Sequence, residues 1–202
     1  MFETTNHKFK NRKFYFPKWE LDYLFIGTFN PEFGEDVPYY YGRSRNNFWK
    51  IISKIFKTTI APYDDDFFKK LIEIKLGCVD LVDSVTYDKV LYHDKINGKG
   101  YDDKILFKKK NNIKKNYNTI EIVNLIKKNN LSKVYITNKG GVFLKEQKEE
   151  LELIKNNCDV IYLPSPSPIH TNRVGIEKVI SNWGVEIISN NKTPIFKHKE
   201  IH

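Results

Sequence analysis

Apolar residues recur along this chain with two different spacings, and the two spacings alternate. Short, mostly apolar runs are typical of buried parallel strands. They occupy residues 23–26, 78–82, 133–137 and 159–163, of which 78–82 is either a strand or a buried loop. Between them, apolar residues recur every three to four positions, as on one face of a helix. The predicted helices are 46–56, 64–75, 119–128, 141–154 and 174–182. This alternation predicts an α/β protein, with three α/β/α layers around a mostly parallel central sheet of about four strands.

The segments outside this alternation are polar. We interpret residues 1–20 as a basic N-terminal arm, residues 21–189 as a single domain and residues 190–202 as a polar tail. Residues 86–115 are rich in lysine, and we expect them to be irregular apart from a short helix near 102–107. Asn118 and Glu121 have the spacing of a capping box, which would begin the helix at 119.

Composition restricts the possible functions. The chain has 34 Lys and Arg against 25 Asp and Glu, a formal net charge of +9. This excess favours a polyanionic partner, although lysine enrichment can equally serve solubility alone. The two cysteines, Cys78 and Cys158, are far apart, which excludes a four-cysteine iron–sulfur cluster and a cysteine zinc site. They also give no disulfide framework, which fits a reducing cytoplasm. No apolar run reaches the roughly 20 residues of a membrane span, and residues 1–13 do not resemble a secretory signal, so we expect a cytoplasmic protein without a membrane partner.

Three loops with unusual residues follow predicted strands. Residues 27–31 read Gly-Thr-Phe-Asn-Pro, residues 138–139 read Asn-Lys, and residues 163–168 read Leu-Pro-Ser-Pro-Ser-Pro. Each could be an ordinary turn or stiff connector when taken alone. Ligands of parallel sheets bind beyond the carboxyl ends of the strands, so we expect the three loops to form one site. A fourth segment, 39–50, carries three tyrosines and two arginines at the entrance to a helix, where it could stack a base and hold phosphate.

The order of these motifs resembles the uracil-DNA glycosylase superfamily. Gly-x-x-Asn-Pro at 27–31 and Asn-x-Phe-Trp-Lys at 46–50 are most similar to its mismatch-specific uracil-DNA glycosylase branch. The tyrosine-rich stretch before Asn46 and the Leu-Pro-Ser-x-Ser-Pro loop are similar to its hypoxanthine-DNA glycosylase branch, and residues 77–84 resemble a further segment of those proteins. The resemblance covers about residues 22–170. It implies a monomeric, monofunctional DNA glycosylase of base excision repair, which flips a base out of DNA and hydrolyses its N-glycosidic bond without a cofactor or metal.

The resemblance also implies roles for individual residues. Asn30 orients the attacking water, because an amide has no usable proton affinity and cannot act as a general base. Asn46 is the alternative for the water, or contacts the base. The residues implied in base binding are Tyr41, which would stack on the base, and Asn138, which would contact its Watson–Crick edge. Phe29 is a further candidate for the pocket wall, although it is equally well explained as a core residue. The residues implied in contacts to the DNA backbone and minor groove are Arg43, Arg45, Lys139, Ser165, Ser167, Ile169 and His170.

The last loop departs from the better-known relatives. Those proteins begin it with a histidine that stabilises the departing base, whereas this chain has Leu163. His170 could compensate, and Ile169 could take the part of the apolar wedge that relatives insert into DNA. The departure weakens a claim of efficient uracil excision, although the hypoxanthine branch shares the leucine.

Several functions therefore remain open. The first is excision of a deaminated base, either uracil, hypoxanthine or xanthine. The second is excision of a modified base from phage DNA. The third is a catalytically inactive lesion-binding module on the same fold, since Asn30, Asn46 and Leu163 include no charged group. A nucleotide-binding α/β protein is disfavoured, because neither a Gly-x-Gly-x-x-Gly nor a Gly-x-x-x-x-Gly-Lys-Ser/Thr motif is present.

Overall fold

The computed structural model describes residues 1–98, 100–138 and 140–188 of the chain. In chain order, the elements in these ranges are β1 Phe2–Asn6, β2 Tyr23–Gly27, α1 Phe48–Phe56, α2 Phe67–Glu73, β3 Leu76–Asp80, β4 Val82–Asp88, α3 Lys89–Asn97, α4 Lys104–Phe107, a 3₁₀ helix Lys109–Asn111, β5 Lys114–Tyr117, α5 Thr119–Asn129, β6 Lys133–Ile136, α6 Gly141–Glu146, α7 Lys148–Lys155, β7 Asp159–Tyr162, α8 Pro168–Val174 and α9 Ile176–Ile188. The predicted tail, 190–202, lies outside the described residues.

The four predicted strands form one parallel sheet in the order β3-β2-β6-β7. Every residue of β2 is buried, because helices cover both faces of the sheet. Successive residues of β2 enter different cores: Tyr23 and Phe25 pack with α1 and α9, whereas Leu24 and Ile26 pack with α5 and α7. This alternation follows from the two-residue period of a strand. The predicted three-layer α/β/α fold is therefore confirmed.

A second, antiparallel sheet was not predicted. It has the strand order β1-β4-β5 and joins the first residues of the chain to the segment after β3. Strand β1 lies within the predicted N-terminal arm, and only Thr5 among its five residues is buried. Backbone pairing with β4, from Phe2 opposite Asp88 to Asn6 opposite Ser84, forms this strand where the side-chain pattern gives no signal.

Several helix predictions need correction. The predicted helix 141–154 is two helices that meet at Gln147, whose φ of −111° interrupts helical geometry. The predicted short helix near 102–107 is present as α4, but the rest of the lysine-rich segment is more ordered than expected. Helix α3 begins there, with the Asp88 carboxylate accepting hydrogen bonds from the backbone N–H groups of Val90 and Leu91. Helix α8 was also not predicted.

The predicted capping box is wrong. The side chain of Asn118 does not cap α5; its Nδ2 donates to the Tyr15 hydroxyl at 2.8 Å and to the Asp80 carbonyl at 2.9 Å. Asn118 thus links α5 to the N-terminal segment and to the end of β3.

No helix within the described ranges is long and apolar enough to cross a membrane.

Candidate active site

A cavity of about 730 Å³ opens at the carboxyl edge of the parallel sheet. Its size lies within the range of about 300–1,000 Å³ that is typical of small-molecule sites. Gly27 ends β2, Asp80 ends β3 and Thr137 follows β6, and all three line the cavity. The loop after β7 completes the wall. The predicted site residues that line this cavity are Phe29, Asn30, Tyr41, Arg43, Asn46, Asn138, Ser165, Ser167 and Ile169.

The other predicted residues are placed differently. Arg45 is exposed and His170 is half-buried, and neither lines the cavity. Lys139 lies outside the described residues. Leu163, expected where relatives carry a histidine, is fully buried in the core around α1 and α9 and does not reach the cavity. A side chain at position 163 of this backbone therefore packs against helices and does not face a bound base.

Asn30 is held by a carboxylate that was not predicted from the sequence. Its Nδ2 donates to Asp80 Oδ2 at 2.7 Å, and the same oxygen lies 2.8 Å from His7 Nε2. His7 Nδ1 accepts a hydrogen bond from the Phe9 backbone N–H, so the ring proton is on Nε2 and His7 is the donor to Asp80. Both Asp80 and His7 are buried, at 3% and 1% exposure.

This contact fixes the orientation of the Asn30 amide. A carboxylate only accepts hydrogen bonds, so the amide nitrogen and not the amide oxygen must face Asp80. The Asn30 Oδ1 atom is left as an acceptor at the cavity. Asn30 is thereby prepared to accept a hydrogen bond from a water molecule without first reorienting.

Gly27 makes room for the buried carboxylate. A Cβ atom at this position would lie 2.1 Å from Asp80 Oδ1 and 3.1 Å from the Tyr41 hydroxyl oxygen. Any side chain would therefore displace Asp80 or Tyr41 from the cavity floor. The glycine of the Gly-x-x-Asn-Pro motif is required here for close approach.

His7 reaches the site from the N-terminal segment. The backbone N–H of Lys8 donates to the Asn30 carbonyl at 2.8 Å, and His7 pairs with Pro31 in an isolated bridge. Four rings surround the imidazole, with centroids 5.0–5.7 Å from its own: Phe9, Tyr15, Phe29 and Tyr40. A single histidine in a polar stretch carries no sequence signal for such a position, so His7 was missed.

Tyr41 forms part of the cavity wall with one ring face already covered. It stacks on Phe48 with centroids 3.9 Å apart and planes at 4°, and its hydroxyl lies 3.1 Å from Thr137 Oγ1. Its φ of 57° is in the left-handed region, which non-glycine residues adopt uncommonly. Burial raises the pKa of Tyr41 well above its ordinary value, so the hydroxyl keeps its proton.

Asn46 and Asn138 both use their amide oxygens locally. Asn46 Oδ1 accepts from the Phe48 backbone N–H at 2.9 Å, at the start of α1. Asn138 Oδ1 accepts from the Gly140 N–H at 2.9 Å, in a turn after β6. Each residue therefore has its amide NH₂ group, a hydrogen-bond donor, left for a ligand in the cavity.

The lysine-rich segment supplies a wall of the cavity that was not predicted. Tyr101, Asp103 and Phe107 line it, together with Phe143 of α6. Burial raises the pKa of the Asp103 carboxyl to about 6, and the nearby Asp80 carboxylate also raises it. The Tyr101 and Thr28 side chains lie close enough to oppose this rise.

The Arg43 guanidinium contacts other groups of the protein. Its Nη1 donates to the Tyr101 carbonyl at 3.2 Å, and its Nε lies 3.8 Å from Glu35 Oε2. The guanidinium carbon lies 5.7 Å from the centroid of the Tyr101 ring. Arg43 thus fixes the Tyr101 wall, in addition to any contact that it makes with a ligand.

The proline-rich loop, residues 163–168, is hydrogen-bonded to two helices. The Asn47 N–H donates to the Pro166 carbonyl at 3.1 Å, and Trp183 Nε1 donates to the Pro164 carbonyl at 3.0 Å. Ser167 caps the start of α8, where its Oγ accepts from the His170 N–H at 3.4 Å. Ile169, two residues later, is 84% exposed at the rim of the cavity.

No group of three or more His, Cys, Asp or Glu side chains within the described part of the chain is arranged to hold a metal ion.

No protein-family model and no curated protein matches the chain. Among solved structures, the chain is similar to the solution NMR structure of a "putative Uracil DNA glycosylase" from Methanosarcina acetivorans. The TM-score is 0.51 at 16% sequence identity, and the match covers 93% of this chain and 97% of the other. The two proteins therefore share a fold over nearly their whole length.

Proposed function

We propose that the protein is a monofunctional DNA glycosylase that excises a deaminated base by hydrolysis of its N-glycosidic bond. The observation that carries this proposal is the Asn30 amide, which Asp80 fixes at a cavity on the carboxyl edge of the sheet. The fold shared with the Methanosarcina protein supports it, as does the order of the motifs along the sequence.

The reaction begins with a base that has left the DNA stack, which costs a few kcal/mol. As the bond between C1′ and the base breaks, positive charge develops on the sugar. Asn30 Oδ1 accepts a hydrogen bond from the attacking water and directs its oxygen toward C1′. The Asp80 carboxylate stabilises the sugar cation electrostatically, in a buried site where such a charge acts strongly.

The hydrogen bonds at the site favour Asn30 over Asn46 as the residue that orients the water. Asn46 Oδ1 already accepts from the Phe48 N–H, whereas Asn30 Oδ1 is left for the water by the contact with Asp80. Asn46 instead serves as a donor to the base or to a phosphate.

Asn46 and Asn138 supply specificity for a deaminated base. Deamination replaces an exocyclic amino group by a carbonyl: cytosine becomes uracil, adenine becomes hypoxanthine and guanine becomes xanthine. An amide NH₂ group donates to the carbonyl and finds no acceptor in the amino group. A site built to pair with a carbonyl rejects the unpaired alternative, because its own donor is then left unsatisfied.

Lysines beside the cavity form the path for the DNA backbone. Lys104 and Lys108 line the active-site cavity and also a second cavity of about 800 Å³, to which Lys95 and Lys110 contribute. The two cavities share Lys104, Lys108 and Asp102 in their walls, and Asp94 also lines the second. Four lysines against two aspartates leave this wall positive, so a strand that leaves the flipped nucleotide there would meet positive charge. Ile169 at the rim is suited to fill the gap left in the duplex.

The test is an abasic-site assay on duplexes that contain uracil, hypoxanthine or xanthine opposite each normal base. We expect strand cleavage after alkali for at least one lesion and none for undamaged duplexes. Release of a modified base from phage DNA, with none from the deaminated bases, would favour the second function. Tight lesion binding that survives Asn30→Ala, without any product, would favour the inactive module.

A further inference from the structure

A second acidic side chain lines the cavity that holds Asn30 and Asp80. Asp103 directly precedes α4, in the lysine-rich segment, and its side chain is half-buried. It has no role in the water-orienting contact between Asn30 and Asp80. Besides the exposed Asp102, the cavity therefore contains two carboxyl groups, those of Asp80 and Asp103, that are at least partly buried and lie in different surroundings.

The two carboxyl groups differ in their hydrogen-bond donors. Asp80 Oδ2 accepts hydrogen bonds from Asn30 and His7. Burial raises the pKa of Asp103 to about 6 and outweighs the nearby Tyr101 and Thr28 hydroxyls, which lower it. A carboxyl group whose pKa is raised by burial in an active-site cavity is a recurring general acid in enzymes.

A buried hydroxyl lies beside Asp103. Tyr101 is 5% exposed and lines the cavity, and its hydroxyl interacts with the Asp103 carboxyl but makes no hydrogen bond of full geometry within the described ranges. Buried polar groups are normally hydrogen-bonded, so this hydroxyl has capacity left for a ligand in the cavity. Burial raises the pKa of Tyr101 well above its ordinary value, which keeps the hydroxyl protonated and able to donate.

We propose that Asp103 is the general acid that protonates the departing base, and that the Tyr101 hydroxyl binds that base beside it. This proposal rests on the proposed glycosylase function. It predicts a preference for purine lesions, hypoxanthine or xanthine, because purines leave the sugar readily once a ring nitrogen is protonated. Uracil, which can leave as an anion, gains less from an acid.

The C1′–N9 bond breaks and its electron pair stays with the base, while the Asp103 carboxyl gives its proton to a ring nitrogen of the base. The purine then departs as a neutral molecule. The oxygen of the water held by Asn30 bonds to C1′, and the surplus proton of that water passes to solvent. Asp103 regains a proton from solvent before the next turnover.

Several charged groups set the proton affinity of Asp103. Asp80 at the end of β3 opposes ionisation, and Arg43 before α1 favours it. The neighbouring Asp102 and Lys104, and Lys108 after α4, line the same cavity. The protonated form is the active one, so excision should be fastest below the pKa of Asp103 and should slow as pH rises through about 6.

The test compares single-turnover excision from duplexes that contain hypoxanthine or 5-fluorouracil, between pH 5 and 9. Fluorine makes the pyrimidine anion a good leaving group that needs no proton. The variants are Asp103→Asn, Asp103→Glu as the conservative exchange, and Tyr101→Phe. The control is Asp65→Asn, at an exposed carboxylate outside the cavity.

We expect Asp103→Asn to slow hypoxanthine release about 100-fold or more at pH 6 and to abolish its pH dependence. Excision of 5-fluorouracil by Asp103→Asn should change by less than about threefold. The Asp103→Glu variant should recover part of the hypoxanthine rate and its pH slope. The Tyr101→Phe variant should slow the release of hypoxanthine but not that of 5-fluorouracil. Equal losses on both substrates, or an unchanged pH profile in Asp103→Asn, would overturn the role of Asp103 and leave the glycosylase function standing. If the unmodified protein released neither base, the proposed function would fail as well.

Discussion

The amide nitrogen of Asn30 donates a hydrogen bond of 2.7 Å to the carboxylate of Asp80. This contact joins the loop after β2 to the end of β3, and His7 from the N-terminal segment completes it. The Asn30 amide cannot act as a base, but it contacts a buried carboxylate, which fixes the direction of its acceptor oxygen. Positions 30, 46 and 163 carry no charged group, but Asp80 supplies a charged group to the cavity.

Asp80→Asn should remove the charge and disturb the amide of Asn30. The new amide can present its own NH₂ group to Asn30, and two donors cannot pair. We expect the single-turnover excision rate to fall about 100-fold or more. The exposed Asp22→Asn exchange is the matched control and should retain the rate. Equal rates in the two variants would show that the Asp80 charge has no part in catalysis.

Gly27→Ala should damage the site through a single methyl group. Its Cβ would lie 2.1 Å from Asp80 Oδ1, so the carboxylate must move. We expect the free energy of unfolding to fall by about 1–3 kcal/mol, as for other overpacked sites, and excision to be lost. Gly184→Ala in α9 is the control, because nothing lies within 4 Å of its Cβ. That exchange should instead stabilise the helix by about 0.5–1 kcal/mol in urea denaturation.

Asp103→Asn should stabilise the protein at neutral pH. Burial raises the folded-state pKa of this carboxyl from 3.8 to about 6, so the folded protein binds more protons than the unfolded chain between these values. The contribution of Asp103 to stability is therefore most favourable below pH 4 and is lost as pH rises through about 6. Urea denaturation at several pH values should show the variant more stable than the parent at pH 7, with the difference vanishing below pH 4. A constant difference at all pH values would exclude the raised pKa.

Lys104→Ala combined with Lys108→Ala should weaken DNA binding and reduce its salt dependence. Each lysine that meets a phosphate contributes close to one unit to the slope of log K against log salt, so we expect the slope to fall by up to about two. Lys127 and Lys128 at the end of α5 are exposed and precede β6, at the opposite edge of the sheet from the cavity. Their double alanine variant is the control. Equal slopes for both double variants would place the DNA elsewhere.

The parallel sheet and the location of the cavity could be predicted because they depend on local pattern. Continuous apolar runs such as 23–26 occur where both faces of a strand are covered, and the carboxyl-edge rule then brings the loops after them together. Asn30, Asn138 and Ser165 come from three different loops of this kind and line one cavity.

The unpredicted parts of the site depend on contacts between distant segments. His7 reaches Asp80 only because β1 pairs with β4, about eighty residues away along the chain, and β1 is too polar to show a strand pattern. Asp103 and Tyr101 lie in a lysine-rich stretch whose helix α3 has no apolar face. Side chains placed by backbone pairing or by a single cap leave no periodic signal in the sequence.

Single-turnover excision by Asn30→Ala tests the central claim most directly. Duplexes carrying hypoxanthine or uracil would be incubated with excess protein, and abasic sites measured by alkaline cleavage. The exposed Asn156→Ala exchange in the cap of α7 is the matched control. The account predicts excision by the parent and the control, and a loss of about 100-fold or more in Asn30→Ala with the fold intact. Excision that survives Asn30→Ala unchanged, or its complete absence from the folded parent protein at high concentration, would contradict it.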